Sequence, residues 1–87
     1  MKFTLVILTL NEIDGLRVLY EKLPLGEFDE VFAVDGGSTD GTLKFFKERG
    51  LKVLPQRSKG RGEAFRLASN KADGDVLFFL VRTVMRI

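Results

Sequence analysis

Three short segments hold the residues that could do chemistry. The first is Thr9, Leu10, Asn11 and Glu12, directly after an apolar run. The second is Asp35, Gly36, Gly37, Ser38, Thr39, Asp40 and Gly41, after a second apolar run. The third is Lys59, Gly60, Arg61 and Gly62. Asp35 at a strand end can accept hydrogen bonds from a base or a ribose hydroxyl. Gly36 and Gly37 permit close backbone approach and positive φ. Residues 38–42 are expected to open a helix, whose N–H groups and positive dipole end suit anions. Lys59 and Arg61 can hold phosphate oxygens, Arg61 in bidentate fashion. One acidic reader with a basic arm suits a nucleoside diphosphate. Each segment also has a plain structural reading: a capped strand-to-helix turn for 35–41, a solvated loop for 59–62, and a helix cap with a first-turn acid for Asn11 and Glu12.

Composition narrows the chemistry. The chain has 87 residues, no Cys and no His. Disulfides, thiolate sites and imidazole bases are excluded, and any metal must be held by oxygen, as Mg²⁺ or Mn²⁺ is. A net charge of +2 gives no footprint for nucleic acid. Acidic residues gather over 27–40 and basic ones over 57–66. No Walker A pattern is present, which argues against a P-loop ATPase, and the first loop lacks the G-x-G-x-x-G of a dinucleotide binder. The opening apolar run is too short for a membrane span and has no signal-cleavage pattern, so a cytoplasmic protein is expected.

The elements that must position these segments alternate. Residues 3–10, 30–34, 51–54 and 76–80 read as buried strands, the third ended by Pro55. Between them lie three helical patterns. The first carries Leu16, Leu19, Tyr20 and Leu23 and is ended by Pro24, with Asn11 and Asp14 as turn and cap residues. The second carries Leu43 and Phe46 and is stopped by Gly50; the third carries Ala64, Leu67, Ala68 and Lys71. The order β-α-β-α-β-α-β predicts a parallel α/β sheet with right-handed crossovers. Ligands of such sheets sit at the carboxyl ends of the strands, where all three segments fall. The phenylalanines are expected in the core.

Taken together, the segments resemble the family 2 glycosyltransferases of the GT-A fold. Residues 6–12, V-I-L-T-L-N-E, resemble the family's V-I-P-T-Y-N-E opening strand. Residues 34–42, V-D-G-G-S-T-D-G-T, resemble V-D-D-G-S-T-D-G-T. Residues 59–66 resemble K-G-x-G-x-A-x-x, and residues 72–79 resemble the A-x-G-D-x-x-x-F strand. Polyprenyl-phosphate sugar synthases are the most similar flavour. The resemblance implies a three-layer Rossmann-like half with four mainly parallel strands in the order 3-2-1-4 and about three helices. It implies transfer of a sugar from a UDP- or GDP-linked donor, with polyprenyl phosphate as an acceptor, and family use of Mg²⁺ or Mn²⁺. Residues matching Leu8, Leu10 and Glu12 line the base and ribose pocket in that family. The acid matching Asp35 contacts base or ribose, and basic residues near Lys59 and Arg61 lie beside the diphosphate. The candidate donor set is therefore Leu8, Thr9, Leu10, Asn11, Glu12, Asp35, Gly36, Gly37, Ser38, Lys59, Gly60 and Arg61.

The sequence departs from the family at defined places. Leu8 and Leu10 replace Pro and Tyr, and Gly36 replaces the second acid of D-D. After Phe79 the family's Asp-x-Asp metal site is expected, but residues 80–87 carry no carboxylate. A one-nucleotide shift of frame is compatible with the acidic Ser-Pro-Asp-Gly-Asn-Glu-Asp there, so the tail is read as a frameshift product that follows a donor-binding half over 1–80. No catalytic residue and no metal ligand is assigned, and metal binding by this chain alone is not expected. The alternative is a non-catalytic remnant that binds nucleotide or forms a homo-oligomer through the edge of strand 76–80. Membrane association would come only through a lipid acceptor.

Overall fold

The computed structural model describes residues 1–58 and 60–80, and of Arg61 the backbone. The elements run β1 (Phe3–Thr9), α1 (Ile13–Leu19), two 3₁₀ turns (Tyr20–Lys22 and Leu25–Glu27), β2 (Glu30–Asp35), α2 (Thr42–Glu48), β3 (Val53–Pro55), α3 (Arg61–Lys71) and β4 (Val76–Leu80). The four strands form one parallel sheet in the order β3-β2-β1-β4. The expected α/β architecture, strand order and three helices are all present. Pro55 pairs with Asp35 on the edge strand, where its missing N–H leaves no partner unserved.

Period-two alternation along β1 divides the core. Leu5 and Ile7 face one layer with Leu16, Ala33, Phe45 and Phe46, which brings in α1 and α2. Val6 and Leu8 face the other with Phe32, Val34, Ala64 and Ala68, which brings in α3. The central strand is thus buried on both sides, as its unbroken apolar run requires. Strands β2 and β3 are added on one side of β1, and after α3 crosses on the opposite face β4 is added on the other, so the strand order reverses at β1 while all strands stay parallel. That reversal is the switch point at which open α/β sheets bind ligands.

Two helix ends differ from the sequence expectation. Helix α1 stops at Leu19, and the chain tightens into 3₁₀ geometry before Pro24. Its N-cap is Glu12, with no capping side chain of its own. Helix α2 starts only at Thr42, after Gly41 at φ 102°. It ends as expected at Gly50 (φ 71°), where Gly50 N–H donates to Lys47 O and Leu51 N–H to Phe46 O, the paired bonds of a Schellman motif. Most phenylalanines are core, but Phe3, Phe65 and Phe78 are 37%, 37% and 46% exposed. Phe78 packs edge-on against both Phe3 and Phe28, on the sheet face that β4 shares with β1.

The amino edge of the sheet is closed by carboxylates. Phe3 N–H donates to Asp29 Oδ2 and Lys2 N–H to Asp75 Oδ2. Glu30 Oε1 accepts from the Thr4 hydroxyl and from Asp73 N–H. Lys2, Asp29, Glu30, Asp73 and Gly74 line a shallow cleft in which the carboxylates of Asp29 and Glu30 are used in this way. Gly74 N–H donates to Thr4 Oγ1, and a Cβ at Gly74 would lie 3.0 Å from Thr4 N and closer still to Thr4 Oγ1. Thr4 is fully buried and its backbone is locked between two strands. Gly74→Ala should therefore destabilise the fold by about 1–3 kcal/mol, as overpacking does, read as a lower urea midpoint at unchanged slope. A midpoint equal to that of the parent would show that the turn can move away.

Candidate donor-nucleotide site

The carboxyl edge carries three loops: 10–12 after β1, 36–41 after β2 and 56–60 after β3. The structure brings the first two candidate segments and Gly60 of the third to that edge, but it distributes the polar groups of the first two differently from the sequence expectation.

Asp35 is 2% exposed, and both carboxylate oxygens are engaged. Oδ1 accepts from the hydroxyls of Thr9 (2.9 Å) and Ser38 (2.5 Å), and Oδ2 from the N–H groups of Gly37 (2.9 Å) and Ser38 (2.7 Å). This carboxylate organises its own loop and ties it to β1. Gly36 N–H donates to Thr9 O and Thr39 N–H to Asn11 Oδ1. The N–H groups of residues 36–39 are therefore all spent inside the protein. The expectation that residues 38–42 open a helix whose N–H groups receive an anion is corrected: the helix begins later, and its first N–H is bound by Asp40 Oδ1.

Loops one and two cap each other. Asp40 Oδ2 accepts from Ile13 N–H, the first residue of α1, while its Oδ1 holds Thr42. Thr42 Oγ1 accepts from Glu12 N–H, and Ser38 Oγ accepts from Asn11 N–H. Asn11 adopts φ 54°, a left-handed conformation that Asn tolerates better than other residues. One acid thus serves two helix starts. The expected caps, Asn11 and Asp14, do not cap α1, because the donor groups face a partner 27 residues away.

The remaining candidates sort by exposure. Leu8 is buried in the α3 layer and Thr9 is buried against Asp35, so both shape the site from behind. Glu12 is 8% exposed beneath the first loop. Leu10 is 47% exposed and stands next to the bare backbone of Gly36. Gly37 is exposed at φ 112°. Gly60, at φ 111°, is the N-cap of α3, which has no capping side chain. Lys59 and the Arg61 side chain lie outside the described residues, as does the tail 81–87 with its frameshift reading.

The sequence reading passed over Gln56. Its N–H donates to Asp35 O, and its Nε2 donates to Ser58 O and Gly60 O, so it fixes the third loop against the second. An amide directly after a strand-ending proline, ahead of a glycine loop, was the available signal. Among the described residues no group of three or more acids could hold a metal ion. Asp35 and Asp40 at this edge are committed to their loops, so the described carboxylates there do not fit a metal ion. No helix among the described residues is long and apolar enough to cross a membrane.

Two predictions follow from this network. Asp35→Asn puts an NH₂ group against hydroxyl and N–H donors. It should cost about 2–3 kcal/mol, the scale of hydrogen bonds to a charged acceptor, measured by denaturant unfolding; a loss below half that range would mean that the loop re-forms without the carboxylate. The second concerns acid. The slight burial of the Asp40 carboxyl pushes its pKa up, but hydrogen bonds from the Thr42 hydroxyl and from the N–H groups of Ile13 and Thr42 outweigh it and hold the pKa below the ordinary value. A depressed folded-state pKa adds stability that is present above the unfolded value and is lost as pH falls through the folded one. The stability gap between the parent and Asp40→Asn should thus be full at neutral pH and close below about pH 4. A gap independent of pH would exclude this role.

Comparison with known proteins meets this geometry from three sides. The family model described as Glycosyl transferase family 2 matches residues 4–80. Glycosyltransferase AglJ of Haloferax volcanii is 44% identical over 60 residues, which cover 69% of this chain and 20% of that protein. Glucosyl-3-phosphoglycerate synthase of Mycobacterium tuberculosis, in complex with Mg²⁺ and UDP, superposes with a TM-score of 0.81 at 25% identity, over 92% of this chain and 32% of that one. The same enzyme with Mn²⁺ and UDP-glucose gives 0.80 at 25% identity, again over 92% and 32%. The chain therefore spans between a fifth and a third of the length of these relatives. Its strand order, its loops at the carboxyl edge and its match over nearly the whole sequence agree, and the chain belongs to glycosyl transferase family 2.

Proposed function

We propose that this chain is the donor-binding half of a glycosyltransferase and that it binds the nucleoside diphosphate part of a sugar donor at the carboxyl edge of its sheet. The observation that carries the reading is the closure of three loops around one notch. Leu10, Gly36 and Gln56, from the ends of β1, β2 and β3, meet there, and the polar groups behind them are satisfied within the protein. An exposed apolar side chain beside bare backbone suits the face of a base. The diphosphate is assigned to Lys59, Arg61 and the uncapped start of α3. Support for a UDP-type donor comes from the relatives solved with UDP and UDP-glucose. The acceptor assigned from the motif resemblance is a polyprenyl phosphate.

Titration of the chain with UDP, GDP and their sugar forms should give saturable binding at millimolar nucleotide or below. The double variant Lys59→Ala, Arg61→Ala should weaken it by at least about tenfold, the scale of losing a charge-assisted phosphate contact. Absence of saturable heat with every nucleotide, or wild-type affinity in the double variant, would count against the site.

A second reading has its own observation. Strand β4 is hydrogen-bonded to β1 on one side, its residues 76–80 are all apolar, and the exposed Phe78 clusters with Phe3 and Phe28 on one face of the sheet. Such an edge favours pairing with another strand. On this reading the chain is a non-catalytic module that self-associates through β4. Sedimentation should show a concentration-dependent dimer that Phe78→Lys disperses; a monomer at every concentration removes this reading and leaves nucleotide binding untouched.

A further inference from the structure

We propose that Gln56 reads the ring N–H of a uracil base, its side-chain oxygen standing beside Gly36 as the acceptor. The inference rests on the donor-nucleotide reading above and adds the base and the residue that selects it.

The geometry starts from the missing side chain at Gly36. A Cβ placed there would lie 3.4 Å from Gln56 Oε1, 3.6 Å from Leu10 Cδ1 and 3.7 Å from Thr9 O. Gln56 and Leu10 therefore flank one notch floored by backbone. The amide of Gln56 is held in one orientation. Nε2 carries two protons, and both are used, on Ser58 O and on Gly60 O, each at 3.0 Å. The flipped amide would set its oxygen against two carbonyl oxygens, so the network itself assigns the atoms. Oε1 is thereby fixed as an acceptor, and the Gln56 N–H bond to Asp35 O fixes the backbone beneath it. Asp35 is not free for this work, because Thr9 and its own loop occupy both carboxylate oxygens. Leu10, 47% exposed, supplies the apolar wall for the ring.

A fixed acceptor selects by sign. Uracil presents an N–H at ring position 3, between two carbonyls. Cytosine presents a lone pair at the same position, and acceptor would face acceptor. A site built to bond an N–H rejects a ligand that lacks it, because the partner group is left unpaired.

The test is a calorimetric titration of the full chain with UDP, N3-methyl-UDP, CDP and GDP, repeated on Gln56→Leu. UDP should bind the parent about tenfold tighter than N3-methyl-UDP and CDP, the scale of one hydrogen bond. In Gln56→Leu the ratio of UDP to N3-methyl-UDP should fall to near one, even if loosening of the third loop lowers both affinities. A merely structural role for Gln56 would leave that ratio unchanged. Equal binding of UDP and N3-methyl-UDP by the parent, a ratio that survives in Gln56→Leu, or GDP binding tighter than UDP would each overturn the assignment while the donor-nucleotide reading stands. No saturable binding of any nucleotide overturns both. Should Gln56→Leu fail to fold, the ligand series on the parent decides alone.

Discussion

The carboxylate of Asp35 sits where β2 leaves the sheet, and four donors converge on it from β1 and from its own loop. A buried acid is costly unless its lone pairs are filled. Here the chain fills them with the Thr9 hydroxyl, the Ser38 hydroxyl and two consecutive backbone N–H groups. That requirement fixes the shape of loop 36–41, and the loop then dictates where α1 and α2 begin. Asp40 and Thr42 reach across to the start of α1, while Asn11 reaches back to Thr39. The two loops are one hydrogen-bonded unit, and the start of α1 is not complete without the second loop.

This internal consumption of polar groups decides what is left for a ligand. The segment richest in polar residues, 35–41, spends most of its hydrogen-bonding capacity on itself and on the first loop. The groups left around Gly36 are few: the exposed apolar side chain of Leu10, the bare backbone of Gly36 itself and the amide oxygen of Gln56 beside it. A donor site of this kind recognises a base by shape and by one polar contact, and leaves the charge of the diphosphate to the third loop and the start of α3. Binding sites in which a few fixed polar groups orient a ligand on an apolar wall are common.

The two edges of the sheet use acids for different ends. At the amino edge Asp29, Glu30 and Asp75 terminate free N–H groups of the strands and their turns, and Gly74 is held tightly against Thr4. At the carboxyl edge Asp35 and Asp40 shape loops. The first arrangement seals the fold, whereas the second leaves an opening at the switch point between opposite-facing helices. The free side of β4 belongs to neither edge, and its run of apolar residues 76–80 is a strand edge that another strand could extend.

The sequence by itself determined the strands, their parallel order 3-2-1-4, the alternation with three helices and the family. The strands, the helices and their alternation depend on local information, namely unbroken apolar runs, helical spacing of Leu16, Phe46, Ala64 and Ala68, and the stop at Gly50, whereas the order 3-2-1-4 and the family came from the motifs that resemble family 2 glycosyltransferases. It also placed the candidate segments at the correct edge, because strand direction alone decides that. The assignment of individual polar atoms came only from the tertiary structure. Asp35 reads as a ligand contact in sequence but is an internal acceptor, since Thr9 is brought to it by the pairing of β1 with β2. Asp40 caps α1 from a distance of 27 residues, and Gln56 becomes the outward acceptor only because loop three folds back onto its amide nitrogen. Periodicity is written along the chain, whereas a hydrogen bond between residues far apart in sequence exists only once the strands have set their register.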